Sequence, residues 1–207
     1  MNVVLYGATG NAGSRILKEL ISRGHKVTAA VRDLSKLPAG VEGKRDDLSN
    51  IDQIAATVRG ADAVISAYSP PPDDTDQLVA VTEREIAAVK KAGTMRLLVV
   101  GGAASLEVAP GVSLLESGHV PEPWLAIAKS HDKAFKLLQS SDINWTYLSP
   151  AAYFEPGERT GKFRLGSNQL LSNDKGESRI SMEDYAIALA DELEKPAHLR
   201  ARFTCGY

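Results

Sequence analysis

The sequence predicts an α/β protein built on one doubly wound parallel sheet, with a small C-terminal substrate region. Three observations predict it. Short β-branched runs alternate with longer amphipathic stretches at the spacing of right-handed βαβ crossovers. The first run opens directly onto the glycine loop Gly7-Ala8-Thr9-Gly10-Asn11-Ala12-Gly13. The strand runs are apolar, as a parallel sheet covered on both faces requires.

The elements follow in order. Val3-Val4-Leu5-Tyr6 reads as a buried strand, and residues 11–23 as a helix with Ile16, Leu17, Leu20 and Ile21 on one face. Gly24 stops that helix where a left-handed residue is wanted. Residues 26–31 are a second strand. A turn of helix at 34–37 and a weak third strand at 41–45 come next. Residues 51–58 are a helix, 63–66 a fourth strand, 77–92 a long helix closed by Gly93, and 96–100 a fifth strand. Residues 101–123 lack helical periodicity; Val112, Leu114 and Leu115 mark them as a packed lid over the active end rather than a linker. Residues 124–139 are a helix, 145–148 a sixth strand, and 160–180 short irregular strands. Ser181 is a good N-cap for a helix over 182–193, with Asp184 in its first turn, and Pro196 ends it.

The chain has 207 residues, which favours one domain spanning 1–207, with about 150–180 as the substrate-side region. With 43% hydrophobic residues it has the apolar surface to offset backbone ordering. A net charge of −2 argues against a nucleic-acid partner, and no apolar run approaches the ~18 residues of a membrane helix. The first apolar run leads straight into the glycine loop, which leaves no room for a signal peptide. Cys205 is the single cysteine, so no intrachain disulfide is possible. A cytoplasmic monomer or homodimer is expected. His25, His119 and His198 lack metal-ligand company, so no metal site is expected.

The glycine loop is the most informative run. Placed between a strand and a helix, it suits a dinucleotide pyrophosphate: one glycine turns the chain, one admits a phosphate oxygen, and one lets helix and sheet pack closely. Its spacing is G-x-x-G-x-x-G, and Gly7, Thr9, Gly10, Asn11, Ala12 and Gly13 are the expected contacts. The second strand ends Val31-Arg32-Asp33, with Lys36 one turn on. A guanidinium fork suits a ribose 2′-phosphate, so NADP(H) is favoured over NAD(H); in the alternative, Asp33 accepts from a 2′-hydroxyl. Asp47 and Leu48 follow the third strand, where a carboxylate meets the adenine amino group, with Asp46 as a register alternative. Ala67, Tyr68 and Ser69 follow the fourth strand and face the ribose. Gly101, Gly102 and Ala103 follow the fifth, beside the nicotinamide, and Ser105 is the candidate hydrogen-bond donor to an acceptor. Pro150, Ala151 and Ala152 bring backbone groups to the carboxamide, and Tyr153 and Phe154 offer an apolar wall for a flat ring.

Tyr6 to Gly13 together with Val31-Arg32-Asp33 resemble the atypical short-chain dehydrogenase/reductases. Leu148-Ser149-Pro150-Ala151, Phe154-Glu155-Pro156-Gly157-Glu158-Arg159-Thr160-Gly161 and Ile180-Ser181-Met182-Glu183-Asp184-Tyr185-Ala186 are similar to the NADH-flavin reductase group, related to biliverdin reductase B and NmrA-like proteins. The resemblance covers essentially the whole chain. It implies a Rossmann domain and NADPH-dependent reduction of a small planar acceptor: FMN, FAD or a quinone. One departure stands out. The superfamily's Tyr-x-x-x-Lys pair is missing, because the residues four beyond each tyrosine are Gly10, Pro72, Ala151, Gly157 and Leu189, and Tyr207 ends the chain. Flavins and quinones place less demand on a protein acid than carbonyls do, since the cofactor carries the chemistry. Lys129 and His131 lie on the helix that normally carries the pair; either is in a position to reach the nicotinamide ribose, and a solvated helix face is the favoured reading. Glu155, Glu158 and Arg159 read as a structural ion-pair turn. An NADP(H)-binding redox sensor that signals to a protein without turnover fits the missing pair equally well. An isomerase would need a substitute base.

Overall fold

Successive side chains of a strand point to opposite faces, and β1 (Asn2–Tyr6) shows what that demands of a central strand. Val3 and Leu5 enter one apolar layer, with Ile16, Leu17 and Leu20 of α1 (Asn11–Ser22) and Leu189 and Leu193 of α5 (Met182–Glu194). Val4 and Tyr6 enter the other. There they meet Ile54 and Val58 of α2 (Ile51–Val58), Val81 and Val89 of α3 (Gln77–Ala92), and Phe135 and Leu138 of α4 (Glu122–Ser140). The computed structural model describes residues 1–94 and 96–207.

β1 pairs in parallel with β2 (Lys26–Val31) on one side and β4 (Ala63–Ser66) on the other. Beyond β2 lies β3 (Glu42–Arg45); beyond β4 lie β5 (Leu97–Val100), β8 (Trp145–Ser149) and β12 (Ala201–Gly206), all parallel. β10 (Arg164–Gly166) closes that edge antiparallel to β12, giving an eight-stranded sheet. After β3 the chain crosses back over β1 to form β4. The switch point therefore falls between β1 and β4, where an open parallel sheet has its ligand crevice.

Three features depart from the sequence expectation. β12 is a seventh parallel strand where no element is predicted. It is held by polar contacts made far away in sequence: Arg96 donates to the Glu192 carbonyl (2.9 Å), His198 pairs with Glu192 (2.7 Å), and the Arg200 amide bonds the Trp145 carbonyl (2.7 Å). Residues 101–123 hold a small hairpin of β6 (Glu107–Ala109) and β7 (Val112–Ser113) over a fully buried Leu106. The Glu107 amide and carbonyl bond Asn168 (2.8 Å) and Leu170 (2.9 Å), so the segment is stitched to the C-terminal region. α4 begins at Glu122, with Pro123 in the first turn, where its missing N–H costs nothing.

The run from Phe154 to Gly161 is a structural clip. Arg159 makes a bidentate pair with Glu19 of α1 (2.9 Å twice), and the Gly157 amide donates to Glu183 (2.7 Å). The buried Asp184 takes the Thr160 and Gly161 amides (2.8 Å each) while Ser181 caps its own amide (3.0 Å). Glu155 pairs with Arg179 across the two-stranded sheet of β9 (Tyr153–Glu155) and β11 (Arg179–Ser181). Among the described residues the Glu158 carboxylate has no ion-pair partner; its carbonyl accepts from Ser181 Oγ (2.7 Å). No helix of the described residues is long and apolar enough to cross a membrane.

Candidate functional site

The glycine loop is built by close backbone approach. Gly7 has φ +74°, and a Cβ there would lie 2.1 Å from the Ala67 carbonyl oxygen, at the end of β4. A Cβ on Gly13 would lie 2.0 Å from the Gly7 carbonyl oxygen, which is how α1 settles onto the loop. Gly10 caps α1 without a side-chain hydrogen bond, and the first turn carries no acidic residue. The amides of Asn11, Ala12 and Gly13, which have no helical partner, therefore present an uncompensated positive end, with Thr9, Gly10 and Asn11 exposed beside it. That is a site for a diphosphate.

Arg32 stands at the end of β2, and strand pairing places Arg45 opposite Val31. Both guanidiniums line one cleft, with Asp33, Leu34 and Ser35 on one side and Asp47 and Gln53 on the other. Among the described residues neither has a carboxylate partner within salt-bridge distance. Asp33 is turned into its own loop, accepting from the Ser35 amide (3.0 Å) and hydroxyl (2.7 Å), which hold it below the usual carboxylate range. Arg45 is the site residue that sequence reasoning missed. Lys36 is exposed at the end of the same short turn.

The register question after β3 resolves into two different jobs. Asp46 is buried and takes the Tyr6 phenol (2.9 Å), the Thr57 hydroxyl (2.8 Å) and the Leu48 amide (3.0 Å). Asp47 is exposed in the cleft. Leu48 holds φ +62°, a rare conformation for a branched side chain, with its carbonyl bound by Arg84 (3.1 Å). Ala67 and Tyr68 are half-buried at the end of β4, Ser69 is exposed, and the Tyr68 hydroxyl bonds Gln77 (3.2 Å).

At the end of β5, Gly101 leaves room for the Tyr147 ring, to which a Cβ would come within 2.3 Å. Gly102 leaves room for His131 in the same way, at 2.8 Å, and Ala103 is partly exposed. The Tyr147 hydroxyl accepts the Gly102 amide proton (3.0 Å) and lies 3.2 Å from His131 Nδ1. Burial lowers His131 to about 4 and raises the Tyr147 phenol far above its ordinary value. His131 is thus an inward, neutral imidazole and not part of a solvated face; Lys129 is exposed. Ser105 Oγ accepts from Arg202 (2.8 Å), whose guanidinium also donates to the Ser105 carbonyl (2.9 Å) and packs 4.7 Å over the Phe135 ring.

The residues after β8 divide. Pro150 and Ala151 are buried, Ala151 within the apolar layer around Tyr185, and the Ala152 amide is already donated to Ser178 (3.1 Å), so it is no free donor for a carboxamide. Tyr153 and Phe154 are neighbours on β9 and point to opposite faces. Phe154 packs on Tyr185 (4.6 Å between centroids), whereas Tyr153 is 57% exposed beneath the Arg179 guanidinium. One of the two aromatics, not both, is free to meet a ligand.

Comparison with known proteins agrees with this geometry. The uncharacterised Bacillus subtilis protein YwnB is 40% identical over 99% of this chain and 97% of its own length. A Bacteroides thetaiotaomicron structure provisionally described as an epimerase is 44% identical, covering 100% of this chain and 96% of that one, with a TM-score of 0.92. A Streptococcus pneumoniae structure provisionally described as an NADH-flavin reductase is 36% identical, covering 100% and 99%, with a TM-score of 0.91. The family model described as NAD(P)H-binding matches residues 7–196, from the first glycine of the phosphate loop to the end of α5. The chain belongs to that NAD(P)H-binding family.

Proposed function

We propose that the chain is an NADPH-dependent oxidoreductase that reduces a planar acceptor of the flavin or quinone type. One observation carries the reading: two guanidiniums with no carboxylate partner among the described residues line the cleft beyond β2, while the end of β5 is faced by His131, lowered by burial to about 4, and Tyr147, raised far above its ordinary value. The bound cofactor supplies a hydride. The α1 amides would hold its diphosphate, and Arg32 and Arg45 would take the 2′-phosphate. Asp33 has one carboxylate oxygen, Oδ1, committed to Ser35, and the two uncommitted guanidiniums beside it favour a phosphate over the ribose hydroxyl pairing that NAD(H) uses. Ser105 Oγ accepts from Arg202, which leaves its own proton to be donated to an acceptor oxygen. The reductase name of the pneumococcal relative supports the reading; the epimerase name of the other fits less well, since a sugar epimerase needs a base that the β5 end lacks.

The test is steady-state NADPH oxidation with FMN, FAD and simple quinones. Turnover with any of them is expected. Tight NADPH binding without turnover on the whole panel would overturn the enzyme reading and return the redox-sensor one.

A further inference from the structure

We infer that His131 is the acceptor-binding residue of this site: a neutral imidazole whose Nε2–H, oriented by Tyr147, donates a hydrogen bond to a carbonyl oxygen of the planar acceptor. The inference rests on the reductase reading above. Three observations carry it.

The first is placement. The C-terminal ends of β2, which leads into Arg32, β1, β4 and β5 lie side by side along one edge of the sheet. α4 is the crossover from β5 to β8, so His131 on α4 and Tyr147 on β8 stand one strand beyond the expected nicotinamide position. That is the acceptor's side of the cofactor. The glycine at 102 clears the way, because any side chain there would strike the imidazole at 2.8–3.1 Å.

The second is the tautomer. The Tyr147 oxygen already takes the Gly102 amide proton at 3.0 Å. Its own proton has two acceptors within reach: His131 Nδ1 at 3.2 Å and the His131 carbonyl at 3.4 Å. The contact at Nδ1 is the shorter of the two, so the hydroxyl proton turns toward it. With Nδ1 accepting, the ring's proton sits on Nε2.

The third is the free end. Among the described residues Nε2 has no hydrogen-bond partner in the chain, and it is not among the polar atoms sealed from solvent. A half-buried ring is thus fixed at one nitrogen and left open at the other. As a hydride and a solvent proton reduce the acceptor, its carbonyl oxygen gains negative charge in transit. A donor already in place strengthens at that moment without losing its own proton. His131 exchanges no proton in the step; water supplies it.

Two measurements on the full-length protein test this. In ¹⁵N-histidine-labelled protein, the His131 signals are expected to show an unprotonated Nδ1 and a protonated Nε2 from about pH 5.5 to 8, and a tautomer mixture in Tyr147→Phe. Equilibrium titration of FMN and of a quinone into the NADP⁺-loaded protein gives the second readout. His131→Ala is expected to weaken acceptor affinity about 10-fold, the scale of one hydrogen bond, with NADP⁺ affinity within about twofold of wild type. His131→Gln, which keeps an N–H at the same reach, is expected to recover most of it. Equal losses in Ala and Gln variants, a loss in NADP⁺ affinity that matches the acceptor loss, or a proton on Nδ1 would each overturn the inference. Wild-type protein that binds NADP⁺ but neither acceptor would overturn the reductase reading itself. A His131 Nε2 signal that moves on NADP⁺ addition alone would assign the donor to the cofactor instead.

Discussion

At the adenine end of the cleft, Arg32 and Arg45 stand exposed with no carboxylate to neutralise them, and the only buried acids nearby are Asp46 and Glu85 beneath the floor. At the β5–β8 end the arrangement is reversed. Tyr147 is buried, Ser105, His131 and Arg202 are half-buried, His131 is held neutral, and the Arg202 guanidinium is met by neutral acceptors and an aromatic ring. The difference follows from what each end must do. Recognising a phosphate needs charge that water has not already cancelled by pairing. Holding a reducible ring next to a hydride donor needs fixed dipoles that do not exchange protons on their own account. The glycine loop lies between the two ends and belongs to both.

That shared position gives the largest expected effect. Gly13→Ala puts a methyl 2.0 Å from a backbone oxygen that cannot step aside, so α1 must lift from the loop. A cost of about 3 kcal/mol or more in folding stability is expected, read by thermal melting, together with loss of NADPH and NADH binding alike. A variant that lost one dinucleotide and kept the other would mean that the loop does not serve both ends.

Arg32→Ser with Arg45→Ser should separate them. Each guanidinium removed from a phosphate costs roughly 1.5–3 kcal/mol, so the double variant is expected to lose on the order of 100-fold or more in NADPH affinity while NADH changes little. Calorimetric titration of both dinucleotides reads it. Equal losses would remove the 2′-phosphate from the account and leave the arginines as general electrostatic support.

How much of this was legible before the structure depends on how far each signal travels along the chain. The loop between β1 and α1 is local, and its residues fall where the spacing puts them. Arg32 follows the same logic, but Arg45 does not: it becomes a site residue only because β3 pairs beside β2 in a register that sets Arg45 opposite Val31. β12 was invisible for a similar reason. Its polar positions Arg202 and Thr204 break the apolar pattern, and its place is fixed by Arg96, Glu192 and His198 from three separate segments. His131 is the instructive case: the sequence places it near the nicotinamide but favours a solvated face, and the structure turns it inward. Ala128, His131, Phe135 and Leu138 recur at helical spacing along the inner face of α4, so the histidine lies in phase with the core. Tyr153 and Phe154 carried a comparable warning, since adjacent strand residues cannot share a face.

The contrast between the ends also predicts opposite pH responses in stability. Glu85 is buried with one oxygen unpartnered, and burial raises it from 4.5 to about 7. The folded state therefore binds the extra proton, and stability falls as pH rises from about 4.5 to about 7. His131 is lowered from 6.5 to about 4, so the unfolded state binds the extra proton and stability falls as pH drops from 6.5 to about 4. Each amounts to up to roughly 3 kcal/mol, and between about 4.5 and 6.5 they oppose each other. Denaturant titrations across pH should show Glu85→Gln flattening the alkaline side and His131→Gln the acid side. Flattening of the same side by both would mean that one burial is wrongly placed.

The smallest effect is the response to salt. Exposed guanidiniums facing a phosphate dianion are screened once the Debye length falls from ~10 Å at 0.1 M to ~3 Å at 1 M, whereas a buried neutral donor has no net charge to screen. Raising ionic strength over that range should weaken NADPH binding by roughly 3–10-fold and NADH binding by less, because NADH lacks the 2′-phosphate that Arg32 and Arg45 are proposed to meet. Acceptor affinity for the NADP⁺-loaded protein should scarcely move. The arginine double variant supplies the control, since its NADPH binding should take on the shallow salt dependence of NADH. If acceptor affinity instead followed salt as steeply as NADPH does, the acceptor would be held by charge. Arg202 or Arg179, not a neutral imidazole, would then be the group that meets it.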